Sequence, residues 1–526
     1  MKSHSRTTNS LLNFCSSIGA QLIVMIMNFI VRTVFINTLG KEYLGINGLF
    51  SNILSLLSLA ELGVGSAILF KLYEPIAKND QERIVALMYF YKSIYRYIGI
   101  AVAILGACMI PFLPYLIKDY AKLDSLGINA AFIFVLYLIN TVSSYLFLAY
   151  KSAIIKANQK EYIINLISYF ITIGRSLVQI VALILVPIFE IYVLISILFV
   201  IIQNIIFAIA ANRMYPYINQ KPVKRIGKRE TKAVVSDCKA LFLYKLNTVV
   251  LKSTDNIVLS IFLGLNEVAL YSNYYIFYTT IQTLFAKIYN SISHSLGNLH
   301  ATNKKDREYL IFKTVDLITA IIGGTAFVGI FVVGDEFIKI WLGETWVISQ
   351  PFSFLLGLEI YTLAIRTALG KYRATMGLFQ QAKYRPLVGM IINVVLSVLL
   401  VRIWGISGVI FATVVADWST FMWFDPIIIY KFGFGGCHSV REYFVANIRY
   451  FFVVLVTGCI DYFLCTNIAV DLGWSSVFIH AGICSITVPC VLLLLEYKKE
   501  ECQHIIKILK KYKEQLFKRG SERRDI

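Results

Sequence analysis

The chain has 526 residues, 58% of them hydrophobic, and its mean hydropathy is +0.69. This composition places nearly all of the chain in a bilayer, and the apolar runs are too long for barrel strands, so the predicted class is an all-α polytopic membrane protein. The net charge of +19 lies mainly in alternate loops, which indicates membrane topology and attraction to anionic lipid rather than nucleic-acid binding.

Apolar runs of about 20 residues or longer predict about fourteen transmembrane helices. The first run follows Lys2 and Arg6, but it exceeds the apolar region of a signal peptide and no A-x-A cleavage site follows it. We interpret it as an uncleaved helix. The predicted spans are 11–36, 44–70, 94–117, 127–149, 162–186, 189–212, 241–263, 268–294, 309–333, 351–370, 384–402, 406–430, 447–466 and 475–495.

Lysine and arginine residues concentrate in every second loop, which by the positive-inside rule is cytoplasmic. The basic loops include Lys71, Lys78, Arg83, Lys92, Lys151, Lys156, Lys160, Lys371, Arg373, Lys383 and Arg385. The opposite loops are acidic and include Asp119, Asp124, Glu190, Asp335, Glu336, Glu344 and Asp461. The pattern predicts that both termini are cytoplasmic.

A long basic segment divides the chain, with six apolar runs before it and eight after it. The stretches 36–45 and 261–270 each contain an isoleucine, then a Leu-Gly pair, then a glutamate, which suggests two six-helix repeats of like orientation. The predicted domains are a six-helix bundle over 1–212, a basic cytoplasmic linker over 213–240, a second six-helix bundle over 241–431, two further helices over 432–496, and a basic amphipathic cytoplasmic tail over 497–526.

Motifs for ATP hydrolysis and for hydrolytic enzymes are missing from the sequence, which contains no P-loop, H-E-x-x-H or G-x-S-x-G pattern. The nine cysteines are scattered and form no C-x-x-C pair, so we expect free thiols and no metal site. The chain is therefore predicted not to be an enzyme and to need no cofactor, although coupling to an H⁺ or Na⁺ gradient stays open.

Three stretches carry a family resemblance: 28–45 in the first helix, 56–67 with Glu61, Gly63 and Gly65 in the second, and 255–272 in the seventh. Together with the helix number and the basic linker, they make the whole chain resemble the Wzx-type flippases of the polysaccharide transporter family, in the MATE-like MOP exporter superfamily. The resemblance implies a MATE-like fold in the bacterial cell (inner) membrane.

It also implies a function. Such a protein moves an undecaprenyl-diphosphate-linked oligosaccharide repeat unit from the cytoplasmic to the outer leaflet, for capsule, exopolysaccharide or O-antigen synthesis. Its expected partners are the lipid-linked oligosaccharide, membrane lipid, and the polymerase and glycosyltransferases of the same pathway. Alternating access would follow from rocking of the two bundles around a central cavity.

Charged residues inside the predicted helices are candidates for that cavity, because burying a charge in a bilayer is costly. Arginine and lysine suit a diphosphate, and amides and hydroxyls suit sugars. The candidate substrate-binding residues are Arg32, Arg175, Lys245, Lys252, Lys287 and Arg366. The polar lining candidates are Gln21, Asn28, Thr248 and Asn290, and the candidates for ion coupling are Glu61, Asp255, Glu359 and Asp417.

Each candidate also has a structural interpretation. Arg32, Lys245 and Lys287 lie near predicted helix ends and could reach the headgroups. Lys252 and Asp255 could form a structural ion pair, and Glu61 could serve helix packing beside Gly63 and Gly65. Arg175 has a dozen mostly apolar neighbours on either side, which favours a cavity position.

Three other functions compete with a flippase. A membrane-embedded polymerase or glycosyltransferase should carry a large outer loop, whereas the longest predicted outer loops have fewer than about 20 residues. A MATE-like exporter of small cations should have an acidic cavity, whereas these stripes are basic. A scaffold without transport activity would not need polar stripes inside its helices.

Overall fold

The computed structural model describes residues 6–58, 64–118, 120–223, 226–227, 231, 253–301, 305–348, 350–378, 380–382, 384–468 and 473–510. Within these ranges the chain folds into helices and contains no β-strand. It divides into two compact units, Met1–Ala269 and Leu270–Ile526. The prediction of an all-α membrane protein is confirmed.

In the part of the first unit that the structure describes, ten α-helices precede the basic segment and one follows it. They are α1 Arg6–Leu39, α2 Lys41–Leu57, α3 Val64–Ala77, α4 Gln81–Met109, α5 Leu113–Leu116, α6 Tyr120–Ser125, α7 Ala130–Leu146, α8 Ser152–Ala157, α9 Glu161–Leu185, α10 Phe189–Met214 and α11 over 253–262. The next helix, α12 Leu265–Ala301, begins in this unit and continues into the second.

The described residues of the second unit form the remainder of α12 and seven further α-helices. They are α13 Lys305–Leu342, α14 Gln350–Thr375, α15 Arg385–Trp418, α16 Phe421–Ile428, α17 Val440–Ile468, α18 Trp474–Leu495 and α19 over 500–510. Helix α13 packs against α14, α17 and α18. Its Gly323 and Gly324 permit this close packing, because a Cβ on Gly324 would stand 2.6 Å from Val454.

Eight segments of the described chain are long and apolar enough to cross a membrane, and a ninth is bent by 42° between α7 and α8. The bend lies at Leu148, whose φ of 58° is left-handed. The predicted total of fourteen spans stays a prediction.

The two stretches that suggested an internal repeat have the same backbone break. Gly40 separates α1 from α2 with a φ of 90°, and Gly264 separates α11 from α12 with a φ of 112°. Glycine adopts this left-handed region without strain, so each break can turn the chain sharply between two helices. Glu42 and Glu267 follow the breaks at similar places, each in the first turn of its helix.

Helix α15 is a hairpin rather than one rod. Gly405 has a φ of 58° and a ψ of −134°, which interrupts the helix. On either side of it, Asn393 Nδ2 donates to Thr413 Oγ1 at 2.8 Å, and a Cβ on Gly408 would stand 2.3 Å from the Leu400 carbonyl oxygen. The two halves are therefore antiparallel and agree with the predicted spans 384–402 and 406–430.

Other helix boundaries differ from the predictions. The predicted span 44–70 corresponds to α2 and α3, with 59–63 outside the described residues. Arg83 and Lys92 were expected in a loop but lie in α4, and Asp335 and Glu336 were expected in a loop but lie in α13. Asp461, also expected in a loop, lies in α17.

Candidate functional site

Four of the predicted site residues lie outside the described part of the chain: Glu61, Lys245, Thr248 and Lys252. The predicted Lys252–Asp255 ion pair therefore also lies outside the described residues. Asp255 itself is described, is 4% exposed and lies in α11. The other predicted residues belong to two separate clusters, one in each unit, or lie singly on their helices.

Arg32 and Arg175 both lie near Tyr192 in the first unit. Arg32 belongs to α1 and Arg175 to α9, and these two helices pack against each other. Both guanidinium groups lie within electrostatic range of the Tyr192 hydroxyl on α10, and Arg32 is also within range of Tyr137 on α7. We call Arg32, Arg175, Tyr137 and Tyr192 the arginine–tyrosine cluster.

Neighbouring side chains hold this cluster in place. Tyr137 Oη donates a hydrogen bond to Asn47 Oδ1 at 2.7 Å. The Tyr192 ring lies 5.0 Å from that of Phe35 and 6.2 Å from that of Phe189, centroid to centroid. On α9, one turn after Arg175, Gln179 Nε2 donates to Ser196 Oγ at 2.9 Å. The two tyrosines are thus fixed by packing and hydrogen bonds on rigid helices.

The cluster suits an anion. It concentrates two guanidinium groups, and Arg175 Nε is buried and has no hydrogen-bond partner among the described residues. A buried donor without a partner costs about 1–3 kcal/mol, so a bound oxyanion would relieve an existing penalty. Guanidinium groups bind phosphate oxygens in a bidentate manner, and tyrosine hydroxyls can donate to the same oxygens.

The polar residues predicted on α1 occupy different environments. Gln21 is partly buried, whereas Asn28 is exposed one turn before Arg32. The spacing of four residues puts Asn28 and Arg32 on one side of the helix, as the sequence predicts. Their role in sugar binding stays a prediction.

In the second unit, Arg366 is paired with a carboxylate. Its Nη1 lies 2.6 Å from Asp417 Oδ2, and its Nη2 donates to Tyr278 Oη at 3.1 Å. Glu359, which is 5% exposed, lies within electrostatic range of Tyr278 and Arg366. A candidate substrate-binding residue and two candidates for ion coupling thus form one site, which we call the Arg366 cluster.

Two further predicted residues lie on α12. Lys287 is partly buried and Asn290 is exposed. Asn290 Oδ1 accepts a short hydrogen bond from Lys371 Nζ of α14. The Asn290 side-chain amide therefore links α12 to α14. Its role in lining a cavity stays a prediction.

Sequence reasoning missed a buried triad in the second unit. Asp425 Oδ2 lies 2.7 Å from Arg385 Nη1, and Asp425 Oδ1 lies 3.7 Å from Arg373 Nη1. Arg373 was interpreted as a loop cation, yet it is 3% exposed. The only signal in the sequence was that two arginines flank a predicted loop near an intramembrane aspartate. Among the described residues, no group of three or more His, Cys, Asp or Glu side chains could hold a metal ion.

Comparison with solved structures identifies the fold. The lipid II flippase MurJ in an inward closed conformation matches with a TM-score of 0.66 and 14% sequence identity, over 92% of this chain and 99% of that protein. An inward-facing MATE-family multidrug resistance transporter of the MOP superfamily matches with a TM-score of 0.60 and 14% identity, over 80% of this chain and 100% of that protein. The molecule is thus a multi-span membrane protein with the fold of transporters.

Comparison of the sequence with family models identifies the family. A family model described as "Polysaccharide biosynthesis protein" matches residues 39–351, more than half of the chain. The chain belongs to this family of polysaccharide biosynthesis proteins. No curated protein sequence matches it. The predicted resemblance is confirmed at the level of family and fold.

Proposed function

We propose that the protein is a flippase for a lipid-linked oligosaccharide repeat unit. It moves an undecaprenyl-diphosphate-linked unit from the cytoplasmic to the outer leaflet of a bacterial cell membrane, for synthesis of a surface polysaccharide such as capsule, exopolysaccharide or O-antigen. Family membership supports the pathway, and the fold shared with a lipid II flippase supports the kind of transport.

The observation that carries this proposal is the arginine–tyrosine cluster. A diphosphate is the charged part of such a substrate, and it must leave water to cross the bilayer. Arg32 and Arg175 supply two positive charges and the unsatisfied Arg175 Nε supplies a buried donor. Helices packed on one another hold these groups in place, so little conformational entropy is lost on binding.

The Arg366 cluster supplies a second cationic group whose charge is balanced inside the protein. Asp417 or Glu359 is the proposed site of ion coupling, with Asp255 and Glu61 as the other candidates. Protonation of Asp417 would neutralise the partner of Arg366, and the guanidinium could then bind a substrate anion. These two residues would therefore be enough to couple H⁺ binding to substrate binding at this site. Partner polymerases and glycosyltransferases of the pathway belong to the proposal as well.

A genetic complementation test can check the proposed transport function and the assigned binding residues separately. In a bacterial strain without its own repeat-unit flippase, wild-type protein should restore surface polysaccharide. Arg175→Ala should lower transport about 10- to 100-fold, the loss expected for one or two charge-assisted hydrogen bonds. Arg175→Lys should recover only part of it, because an ammonium keeps the charge and loses the bidentate geometry.

Arg402→Ala is the matched control, because Arg402 is an exposed arginine on α15 outside both clusters. Membrane levels of all variants must agree. Full activity of both Arg32→Ala and Arg175→Ala would overturn the site assignment. Failure of the wild type in hosts with several sugar types would overturn the function.

A further inference from the structure

A row of polar side chains follows one face of α18, and the proposed function uses none of them. Ser476, His480, Cys484 and Thr487 are spaced by four, four and three residues, so they share a face of the helix. Ser476, His480 and Cys484 are buried at 5%, 4% and 1% exposure, although α18 is otherwise apolar. We call these four residues the α18 polar face.

The first part of this face binds a carboxylate of α13. His480 Nδ1 lies 2.8 Å from Glu336 Oε2, and Ser476 Oγ donates a short hydrogen bond to Glu336 Oε1. The Glu336 side chain is 25% exposed, so this end of the row can exchange protons with its surroundings, whereas the imidazole beside it is buried.

The last part of the face binds a carboxylate of α17. Thr487 Oγ1 donates to Asp461 Oδ2 at 2.5 Å, and Asp461 is 1% exposed. Thr487 follows His480 by seven residues, which corresponds to about 10 Å along the helix axis. The two carboxylates therefore lie at different depths of the same helix interface.

Two thiols occupy the space between these carboxylates. Cys465 of α17 and Cys484 of α18 are both buried and lie near each other. Cys465 is also within electrostatic range of both Asp461 and Glu336.

The charges around this interface leave both carboxylates without a lysine or arginine partner. Asp335, the neighbour of Glu336, is directed to Tyr274 and Ser353. Lys339 lies one turn further along α13 and forms an ion pair with Glu344, which lowers the pKa of the Glu344 carboxyl. Among the described residues, no lysine or arginine forms a salt bridge with Glu336 or Asp461.

The other buried aspartates of this unit behave differently. Asp417 is compensated by Arg366, and Asp425 by Arg373 and Arg385. Two ionised carboxylates without such partners are unfavourable in a membrane helix interface, and protons bound within the interface can offset their charge.

From this geometry we propose that Glu336, His480 and Asp461 form a proton-binding site between α13, α17 and α18. One proton binds the free nitrogen of His480 and gives an imidazolium paired with the Glu336 carboxylate. A second proton binds the Asp461 oxygen that does not accept from Thr487. The site then carries no net charge. A role of these protons in driving transport rests on the proposed function. The binding of the protons is independent of it.

Infrared difference spectroscopy of the full-length protein in liposomes tests the binding without any transport substrate. On lowering the pH from about 8 to about 5, the range in which histidine titrates, the wild type should show a histidine ring change and a carboxylic acid C=O band. Asp461→Asn should lose that band. His480→Gln should lose the contribution of His480 to the ring change and gain a new C=O band, because Glu336 then takes the proton itself.

Asp335→Asn is the matched control, and it should retain both signals. Variant-minus-wild-type spectra remove the contribution of other carboxyls, and an unchanged amide band shows that each variant is folded. Spectra of Asp461→Asn and His480→Gln identical to the wild type would overturn the proposal, as would equal loss in Asp335→Asn. A protein that binds these protons but moves no lipid-linked oligosaccharide would overturn the proposed function alone.

Discussion

Arginines of similar sequence context have different surroundings in the two units. Arg175 has a buried Nε without a partner among the described residues, whereas Arg366 is bound to Asp417 at 2.6 Å. Both lie in apolar helices and both were candidates for the same role. Their difference arises from α15, which brings Asp417 to Arg366 from 51 residues away in the chain.

Removal of one partner of the Arg366 cluster should cost stability. Asp417→Asn leaves the Arg366 guanidinium without its counter-charge and should lower the free energy of unfolding by about 3 kcal/mol. The double variant Arg366→Met/Asp417→Leu should regain most of this loss, because neither charge is then buried. Unfolding of the purified protein in mixed micelles measures both. Equal losses for the single and double variants would show that the two residues do not act as a pair.

For individual residues, the sequence could predict which charged side chains lie within membrane helices. It could not predict which side chains they contact. Arg175 and Asp417 stood out because charges are rare in apolar runs. Asp461 and Glu336 were assigned to loops, since nothing nearby in the chain shows that Thr487 and His480 satisfy them. Such contacts between distant helices are set by packing, and one sequence does not encode them visibly.

At the scale of helices, α15 shows which structural features can be predicted from the residue pattern of the sequence. The predicted spans 384–402 and 406–430 were separated at a glycine-containing loop, and the backbone turns at Gly405. The turn was predictable, because glycine adopts a left-handed φ at low cost. The contact of Gly408 with the Leu400 carbonyl was not, because it depends on how closely the two halves approach.

A methyl group at Gly408 should weaken this hairpin. Its Cβ would stand 2.3 Å from the Leu400 carbonyl oxygen, so one helix must shift, at a cost of about 1–3 kcal/mol. Gly482→Ala in α18 is the matched control, because nothing lies within 4 Å of its Cβ position and alanine favours a helix. Thermal unfolding should give a lower midpoint for Gly408→Ala and an equal or higher one for Gly482→Ala. The reverse order would contradict the hairpin packing.

The whole molecule was the most predictable level. The apolar runs predicted an all-α membrane protein and the family resemblance implied a MATE-like fold, which the comparison with MurJ and a MATE transporter confirms. Substrate identity does not follow from the same information. Proteins of one fold carry different substrates, because the cavity side chains decide what is bound.

Topology can be measured on the intact molecule. The distribution of basic residues predicts that Lys221 lies on the cytoplasmic side and Gly343 on the outer side. In a cysteine-free background, a membrane-impermeant maleimide should label Gly343→Cys in whole cells and Lys221→Cys only after permeabilisation. Labelling of Lys221→Cys in whole cells would reverse the predicted orientation.

Helix α13 carries two consecutive carboxylates that are bonded in different directions. Residues that follow one another on an α-helix point about 100° apart, so Asp335 reaches Tyr274 and Ser353 while Glu336 reaches Ser476 and His480. A rotation of α13 about its own axis, in either sense, would break one of these sets. These two sets of hydrogen bonds therefore oppose rotation of α13 about its axis in both senses, because a turn that preserves one set strains the other.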